Sequence, residues 1–327
     1  MKTLVTGGAG CIGAELVHRL AGRGDRVVVL DNLSSGRYEH IADLLETGKI
    51  EFIETDVLGP AGEIDRAMAG VEVVWHLAAN GDVKYQPGNP TNRDLEQNLL
   101  GTYQILESMR RNGVRRLVFA STSAIYGPVD RSPIPEDQPA APVSLYGASK
   151  AGCEALISAF RNLFDMRCAV LRLANIVGPR SRKSGQTVIS DFVRKLRENP
   201  AELHILGNGL QAKSYLHCAE CVDAMLFIEE KAPESMAIYN VGAEDSVSVR
   251  RIAELVTGAM GLTGVHFIYG ETETGWPGDV PRFILDPGKI NRLGWRAKLT
   301  SEEAVRRAIH EIVAIHENIG GAGICRP

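Results

Sequence analysis

The chain has 327 residues, of which 44% are hydrophobic and 23% are charged, and its formal net charge is −4. This composition is typical of a soluble globular protein with a large core, and it provides no basic surface for nucleic acid. The sequence enters an apolar strand directly after Met1 and Lys2, with no signal-peptide pattern and no uncharged span long enough to cross a membrane. We therefore expect a cytoplasmic protein with neither nucleic acid nor a membrane as its partner.

The first half of the chain alternates short β-rich runs with amphipathic helices. The predicted strands are 4–6, 26–31, 51–54, 71–76, 116–120 and 168–172, and several of them are apolar without alternation. One helix follows the first strand, and others are predicted near 62–69, 94–112 and 147–164. Strand–helix alternation of this kind predicts βαβ units with right-handed crossovers. The expected fold is α/β, with a Rossmann-type doubly wound parallel sheet.

After about residue 175 the pattern changes, because Gly and Pro interrupt the chain at points such as Gly178-Pro179 and Gly207-Asn208-Gly209. Short predicted strands at 203–206, 238–241 and 266–269 mix with helices near 187–198, 219–229, 249–260 and 301–317. We predict a smaller mixed α/β substrate-binding cap on the carboxyl edge of the sheet, where open α/β sheets bind ligands. The nucleotide-binding domain would be 1–174, with returning segments near 215–245, and the cap would be mainly 175–327.

A glycine-rich loop, TGGAGCIG at residues 6–13, lies between the first strand and the first helix. Its glycines allow a tight turn and a close approach to a pyrophosphate, which the N-terminus of the following helix favours. Asp31 ends the second strand, where a carboxylate can accept hydrogen bonds from both ribose hydroxyls and repels a 2′-phosphate. The loop and Asp31 together predict NAD rather than NADP. Asp56, after the third run, could face the adenine or lie in a solvated loop.

Tyr146 and Lys150 form a YxxxK motif at the start of a predicted helix, and their spacing places both side chains on one face. A nearby ammonium stabilises a phenolate and lowers the tyrosine pKa, and a bound nicotinamide cation adds to this effect. Tyr146 would then act as a general base near neutral pH. The upstream run FASTSAIYG, at residues 119–127, ends a strand with hydroxyls that can share the proton of a sugar hydroxyl.

Six cysteines are scattered along the chain, and Cys218 and Cys221 have a metal-like spacing. A tetrahedral zinc site needs four ligands, and no second CxxC or CxxH pair accompanies these two residues. We therefore predict ordinary cysteines and no metal site.

Over nearly its whole length the chain resembles the extended short-chain dehydrogenase/reductases, and within them the UDP-galactose (UDP-glucose) 4-epimerases. Further motifs that carry the resemblance are DNLSSG at 31–36, HLAA at 76–79, RLAN at 172–175, GNG at 207–209, KSYLH at 213–217 and Gly278-Asp279. The resemblance implies an NAD-dependent isomerase in which Tyr146 takes the proton of the 4-OH while C4 passes hydride to NAD. The 4-keto sugar then turns over, and hydride returns to its other face. Thr122 would hydrogen-bond the 4-oxygen, and Lys150 would assist Tyr146.

The resemblance also implies which positions hold the cofactor and the substrate. The implied NAD-binding residues are Gly7, Gly10, Cys11, Ile12, Gly13, Asp31, Asn32, Ser34, Ser35, Gly36, Asp56, Val57, Leu77, Ala78, Ala79, Asn98, Ser121, Tyr146 and Lys150. The implied UDP-sugar residues are Thr122, Ser123, Tyr146, Asn175, Arg182, Val188, His204, Lys213 and Asp279. Asn175 would contact the diphosphate or the sugar, and Asp279 would contact the uridine ribose. Lys213 would meet the phosphates, unless it is a plain surface lysine.

The turn after Thr122 separates the related activities. Similar 4,6-dehydratases carry Asp-Glu where this chain has Ser123 and Ala124, and UDP-glucuronate decarboxylases usually carry Glu at the second position. Neither Ser123 nor Ala124 can move a proton in that chemistry, so 4-epimerisation of UDP-glucose and UDP-galactose is the leading prediction. UDP-glucuronate and UDP-GlcNAc 4-epimerases stay open. So does a different class, a non-catalytic NAD-binding sensor or scaffold.

Other positions bear on the sugar and on the diphosphate. Arg182 matches an arginine near the sugar carboxylate in similar UDP-glucuronate enzymes, although it could bind phosphate instead. Trp276 stands where many relatives have a diphosphate-binding arginine, so Arg180 or Arg182 is expected to supply that charge. Phe283 lies where a bulky aromatic disfavours N-acetyl sugars, and a core phenylalanine is an equal alternative.

Relatives usually dimerise through the helices that correspond to 94–112 and 147–164, packed as a four-helix bundle. The apolar stripe formed by Leu95, Leu99, Tyr103 and Leu106 fits such an interface, and an internal core face explains it equally well. The resemblance therefore implies a homodimer.

Overall fold

The computed structural model describes residues 1–84, 88, 90–180, 187–233 and 235–321, with side chains up to residue 315. Its centre is a seven-stranded sheet. The strands are Lys2–Thr6 (β1), Arg26–Asp31 (β2), Ile50–Glu54 (β3), Val73–His76 (β4), Arg116–Thr122 (β5), Arg167–Leu173 (β6) and Met236–Val241 (β11). Their order is β11-β6-β5-β4-β1-β2-β3, and every neighbouring pair is parallel.

Helices cover both faces of this sheet, which explains why its strands are apolar without alternation. Cys11–Gly22 (α1) and Cys218–Lys231 (α7) pack on one face, where Leu16, Val29 and Met225 share a buried cluster. The other face is covered by Ala61–Met68 (α3), Gly101–Arg111 (α4) and Leu145–Phe164 (α5), and a π-helical turn, Leu95–Leu100, leads into α4. The short helices Tyr38–His40 and Ala42–Glu46 (α2) connect β2 to β3. The predicted doubly wound α/β fold is confirmed.

The second half of the chain builds a smaller mixed layer. Three helices, Val188–Glu198 (α6), Val249–Ala259 (α8) and Ser301–Gly321 (α10), pack around a separate buried cluster. The short strands are Asn175–Val177 (β7), Glu202–Ile205 (β8), Ala212–Lys213 (β9), Tyr215–His217 (β10), Val247–Ser248 (β12), His266–Tyr269 (β13) and Arg282–Phe283 (β14). Strand β7 pairs with β10, β8 pairs with β13, and β9 lies between β12 and β14. In the described parts of the chain, no helix is both long and apolar enough to span a membrane.

Later segments of the chain return from this layer to the main sheet. Helix α7 and strand β11 do so, within the range near 215–245 that the sequence indicates. Helix Gly288–Leu293 (α9) does so as well, because Ile290 lies in the same buried cluster as Val29, a return that the sequence analysis did not anticipate. We keep the division near residue 174 as a proposal, with α9 added to the returning segments.

The carboxyl ends of four strands bring the sequence motifs together. Strand β1 leads into the glycine-rich loop, β2 ends at Asp31, β4 leads into residues 77–79, and β5 ends at Thr122. In the sheet these strands lie in the order β5-β4-β1-β2. Because they are parallel, their ends meet along one edge, where an open α/β sheet binds its ligands.

Candidate active site

The glycine-rich loop is packed too tightly to accept larger side chains. A Cβ on Gly13 would lie 2.1 Å from the carbonyl oxygen of Gly7, and a Cβ on Gly7 would lie 2.7 Å from the backbone nitrogen of Ala78. Gly7 also has a φ of 70°, which favours glycine. Gly10 immediately precedes α1 and has no side chain to cap it, so the first turn offers backbone N–H groups to an anion. The loop therefore fits the diphosphate of a dinucleotide.

Asp31 lies at the end of β2, next to this loop, and is 7% exposed. Its carboxylate accepts hydrogen bonds from the backbone N–H groups of Ala9, at 2.9 Å, and Leu33, at 2.8 Å. Asp31 thus fixes the loop, and the ribose contact predicted from the sequence stays a prediction.

Asp56 lies in the loop after β3, is half-buried and is held by its neighbours. The Asn32 amide donates to Asp56 Oδ2 at 2.5 Å, and the Leu58 N–H donates to Oδ1 at 2.8 Å. This contact joins the segments that follow β2 and β3. The remaining predicted NAD positions on the loops after β1, β2, β3 and β4 are Cys11, Ile12, Ser34, Ser35, Gly36, Val57, Leu77, Ala78 and Ala79. They share one edge of the sheet, and their contacts with NAD stay a prediction.

Tyr146 and Lys150 lie in the first turns of α5. The helix is capped by Ser144, whose hydroxyl accepts the third backbone N–H of the helix at 3.0 Å. Thr122, at the end of β5, caps the short turn Ser123–Ile125, and its hydroxyl lies close enough to the phenol of Tyr146 to lower the pKa of that phenol. The carboxyl end of β5 and the amino end of α5 therefore bring the three predicted catalytic side chains together.

The pKa of Tyr146 differs from the sequence prediction. Burial raises it to about 12, against the opposing effect of the neighbouring Thr122 hydroxyl. The Lys150 ammonium donates to the carbonyl oxygen of Ala120 at 2.8 Å and lies 4.5 Å from the centre of the Phe119 ring. Burial also lowers the pKa of Lys150. In the protein by itself, burial therefore dominates the pKa of Tyr146, and the structure gives no support to the predicted lowering of that pKa.

A buried polar cluster supports the catalytic helix, and the sequence analysis identified only Asn98 in it. The Asn98 amide donates to Ser149 Oγ at 2.9 Å, and that hydroxyl donates to the carbonyl oxygen of Tyr146 at 2.8 Å. Asn80 donates its backbone N–H to Asn98 Oδ1 at 2.7 Å and its amide to Asp94 at 2.9 Å. Asn98 therefore holds the first turn of α5. The signal that was available for Asp94 is its four-residue spacing from Asn98.

Glu154 is a second residue that the sequence analysis missed, although it follows Lys150 by one helical turn. Its carboxylate accepts the Ser121 hydroxyl at 2.5 Å and the guanidinium of Arg172 at 2.8 Å. All three residues are buried. The Ser121 hydroxyl, predicted to contact NAD, is thus committed as a donor to Glu154 and keeps only its acceptor capacity for a cofactor.

A cavity of ≈ 760 Å³ opens between the carboxyl edge and the cap, which is a volume suited to a small-molecule ligand. The predicted substrate residues that line it are Thr122, Ser123, Asn175, Val188, Lys213 and Asp279. His204 is exposed on β8 and is not one of the lining residues, so the structure gives its predicted contact no support. Arg182 lies outside the described residues.

Lys213 is part of the cavity wall and not a plain surface lysine. Its ammonium lies 2.5 Å from Asp279 Oδ1 and 5.1 Å from the centre of the Trp276 ring, and its side chain is 13% exposed. Tyr215, which the sequence analysis did not single out, lines the same wall beside Asn175. This wall therefore offers a cation, hydroxyl and amide groups, and a carboxylate.

Arg180 does not contribute its charge to this cavity. Its guanidinium pairs with Glu15 of α1 at 3.1 Å, and it is not among the lining residues of the described chain. The structure therefore gives no support to the expectation that Arg180 replaces the arginine missing at Trp276. Phe283 lines the cavity and also packs against a small buried cluster, so both of the alternatives considered for it apply.

Comparison with known proteins gives consistent matches. The model of the NAD dependent epimerase/dehydratase family matches residues 3–242. A putative UDP-glucose 4-epimerase of Methanocaldococcus jannaschii is 33% identical over 309 residues, covering 94% of this chain and 97% of that protein. The UDP-glucose 4-epimerase of Thermotoga maritima, solved with UDP-glucose, is 31% identical with a TM-score of 0.85, over 97% of this chain and 100% of that one. MoeE5, solved with UDP-glucuronic acid and NAD, is 28% identical with a TM-score of 0.84, over 96% and 100%.

Proposed function

Since the chain belongs to the NAD-dependent epimerase/dehydratase family and is an isomerase, we propose that it interconverts UDP-glucose and UDP-galactose through a transient 4-keto sugar. The observation that carries this proposal is the placement of the Tyr146 phenol. It lies beside Thr122, which lines the large cavity, on the same sheet edge as the glycine-rich loop. A proton acceptor beside both a dinucleotide loop and a ligand cavity is what reversible oxidation of a hydroxyl requires.

In this proposal Tyr146 removes the proton of the sugar 4-OH and later returns it. Thr122 donates a hydrogen bond to the 4-oxygen and holds it at the phenol. Lys150, one helical turn away, favours the phenolate electrostatically. NAD held at the glycine-rich loop would supply the hydride acceptor for C4 and the hydride donor for the opposite face of the sugar. No further acid or base is needed, in agreement with Ser123 and Ala124 in the following turn.

The close packing of the glycine-rich loop and the carboxylate of Asp31 both suit NAD. Gly7 and Gly13 leave room for no side chain, so the backbone can approach a diphosphate closely. Asp31 would accept the hydroxyls of the adenosine ribose, and its charge would oppose a 2′-phosphate. Asn98, which holds the first turn of α5, and Ser121, near the end of β5, would help to position the nicotinamide end.

The cavity wall formed by Asn175, Lys213 and Asp279 would hold the nucleotide part of the substrate. We propose that Lys213 faces the diphosphate and that Asp279 accepts the uridine ribose. The ion pair between them supports this assignment, because it presents a cation and an acceptor side by side in the cavity. Leu206, which lines the cavity after β8, would lie beside the uracil.

The test is to incubate the purified protein with UDP-galactose and assay for UDP-glucose. We expect conversion to an equilibrium mixture from either direction. Parallel incubations with UDP-glucuronate and UDP-N-acetylglucosamine would identify the preferred sugar. Turnover of one of these with no conversion of UDP-galactose would overturn the proposal.

UDP-glucuronate is the second candidate substrate, because MoeE5 was solved with UDP-glucuronic acid. In that case Arg182 would contact the sugar carboxylate, and Arg182→Ala would reduce turnover of UDP-glucuronate far more than turnover of UDP-galactose. Equal losses on both substrates would exclude this role. A non-catalytic NAD-binding role, by contrast, would show itself as no turnover of any nucleotide sugar by protein that binds NAD.

We further propose that the protein acts in the cytoplasm as a homodimer that packs α4 and α5 against a partner. The apolar stripe noted in the sequence is split: Leu106 is fully buried, whereas Leu95 and Tyr103 are 56% and 40% exposed. Leu163 on α5 is 73% exposed. Exposed apolar side chains on adjacent helices support an interface. Light scattering on Leu163→Glu, compared with the unchanged protein, would test it, and an unaltered mass would argue against this face.

A further inference from the structure

Two thiols meet next to the glycine-rich loop. Cys11 is the first residue of α1, immediately after Gly10, and Cys218 is the first residue of α7. The two helices lie side by side on the same face of the sheet. The thiols are therefore adjacent in space although 207 positions separate them in the sequence.

Both sulfurs lie next to Gly178. A Cβ placed on Gly178 would lie 2.4 Å from the sulfur of Cys218 and 3.8 Å from the sulfur of Cys11. The two sulfurs therefore lie near each other, and the Cys11 thiol raises the pKa of Cys218. Only glycine allows this arrangement, because a larger residue would collide with the Cys218 sulfur.

The two thiols differ in their access to solvent. Cys218 is 1% exposed, whereas Cys11 is half-buried. The neighbouring Cys11 thiol and burial together raise the pKa of the Cys218 thiol. Cys11 is therefore the more accessible member of the pair, and Cys218 is its protonated neighbour.

We propose that Cys11 and Cys218 form an oxidisable thiol pair, which a hydroperoxide converts into a disulfide at the NAD loop. The Cys11 thiolate attacks one peroxide oxygen, the O–O bond breaks, and a sulfenic acid and water form. The Cys218 sulfur then displaces the sulfenic hydroxyl, which leaves as a second water with the proton of Cys218. With hydrogen peroxide, two thiols and one peroxide thus give one disulfide and two waters, and the two electrons come from the sulfurs.

The disulfide would change the loop because it shortens the distance between the sulfurs. A disulfide bond is about 2.05 Å long, which is shorter than any contact between unbonded sulfurs, so the two thiols must approach each other when it forms. The first turn of α1 cannot absorb this movement freely, since Gly13 and Gly7 are already in close contact. The oxidised protein would therefore bind NAD more weakly, and bound NAD would slow the oxidation. This last step rests on the proposed position of the NAD diphosphate.

The thiol pair is tested by mapping the bond. The full-length chain carrying Cys325→Ser is treated with hydrogen peroxide, alkylated and digested with trypsin. We expect a cross-link between peptides 3–19 and 214–231. Cys11→Ser and Cys218→Ser should each abolish it, while Cys221→Ser and the matched buried control Cys168→Ser should retain it. A cross-link that survives in Cys218→Ser, or sulfenic acid at Cys11 without any cross-link, would refute the pair.

The link to NAD is tested separately by titrating the reduced and the oxidised protein with NAD in equilibrium dialysis. We expect at least tenfold weaker binding after oxidation and recovery with dithiothreitol. Cys218→Ser should keep its affinity when treated with peroxide. Unchanged affinity in protein whose cross-link has been mapped would overturn the coupling. Failure of the reduced protein to bind NAD would count against the proposed cofactor site and leave the mapped bond standing.

Discussion

Replacing Tyr146 by Phe removes one hydroxyl from the proposed site and little else. In the structure the phenol lies beside Thr122, which lines the cavity. A positioned general base contributes about 10²–10⁴ to the rate, or roughly 2.7–5.4 kcal/mol of the barrier. We therefore expect Tyr146→Phe to lower kcat on UDP-galactose by about that factor, while the affinity for NAD and the thermal midpoint of unfolding stay close to those of the unchanged protein.

The chain offers a matched control in Tyr126. Burial raises the pKa of this tyrosine to about 12 as well, but its hydroxyl donates to Asn240 at 2.7 Å and accepts from Arg172 at 2.9 Å, inside the protein. Tyr126→Phe leaves two buried groups without this partner and should cost about 1–3 kcal/mol of stability. It should leave kcat within about threefold, since the hydroxyl does not face the cavity.

The assay couples formation of UDP-glucose to a UDP-glucose dehydrogenase and follows its NADH, at saturating NAD and UDP-galactose. Lys150→Met is measured alone and together with Tyr146→Phe. If Lys150 acts through the phenol, the double variant should be slower than Tyr146→Phe by less than about tenfold, because residues that act as a unit are not additive. Retention of more than a third of kcat in Tyr146→Phe would refute the general-base role.

Three further predictions concern stability and cofactor binding. Arg172→Met leaves a buried carboxylate unpaired and should cost about 3–5 kcal/mol in denaturant unfolding, whereas Arg306→Met, which breaks an exposed pair, should cost about 0–1 kcal/mol. Gly13→Ala should abolish NAD binding in dialysis or prevent folding, because its Cβ would overlap the loop backbone, and Gly62→Ala, with open space around it, should be tolerated. Burial lowers the pKa of His76 from 6.5 to about 3. Between these two pH values the unfolded chain therefore binds a proton at His76 that the native state does not bind. The free energy of unfolding should reach its full value above about pH 6.5 and fall by up to about 1.4 kcal/mol per pH unit towards pH 3. His76→Gln should remove this slope, and denaturant unfolding at pH 7 and pH 5 measures it.

The main sheet could be predicted because its signals are local. Strands such as Arg26–Asp31 are continuous apolar runs, and the helices between them have one apolar face, so element type follows from short stretches of sequence. The YxxxK spacing likewise fixes Tyr146 and Lys150 on one face, whatever surrounds the helix. The two covered faces follow from the right-handed crossovers of a doubly wound sheet. The strand order was not predicted.

The tertiary contacts that determine the chemistry of the site could not be predicted from the sequence in the same way. Lys150 was expected to lower the pKa of Tyr146, yet its ammonium donates to a backbone carbonyl, and the burial of the phenol depends on how the whole edge packs. The pairing of Arg180 with Glu15 joins residues 165 positions apart. Glu154 and Asp94 are recognisable as helix neighbours of known site residues, but their partners come from other strands and loops. Such contacts depend on tertiary geometry.

The returns of α7, β11 and α9 to the main sheet have a consequence for how the molecule unfolds. Strand β11 is the edge strand beside β6, and in the chain it follows the cap segment between β7 and β10. Helix α9, which also packs on the main sheet, follows β14 in the chain. Unfolding of the cap would therefore remove an edge strand and two helices from the layer that is built on the main sheet. Heat or denaturant should melt both layers in a single cooperative transition, and a protease nick in the cap should not release an independently stable fragment.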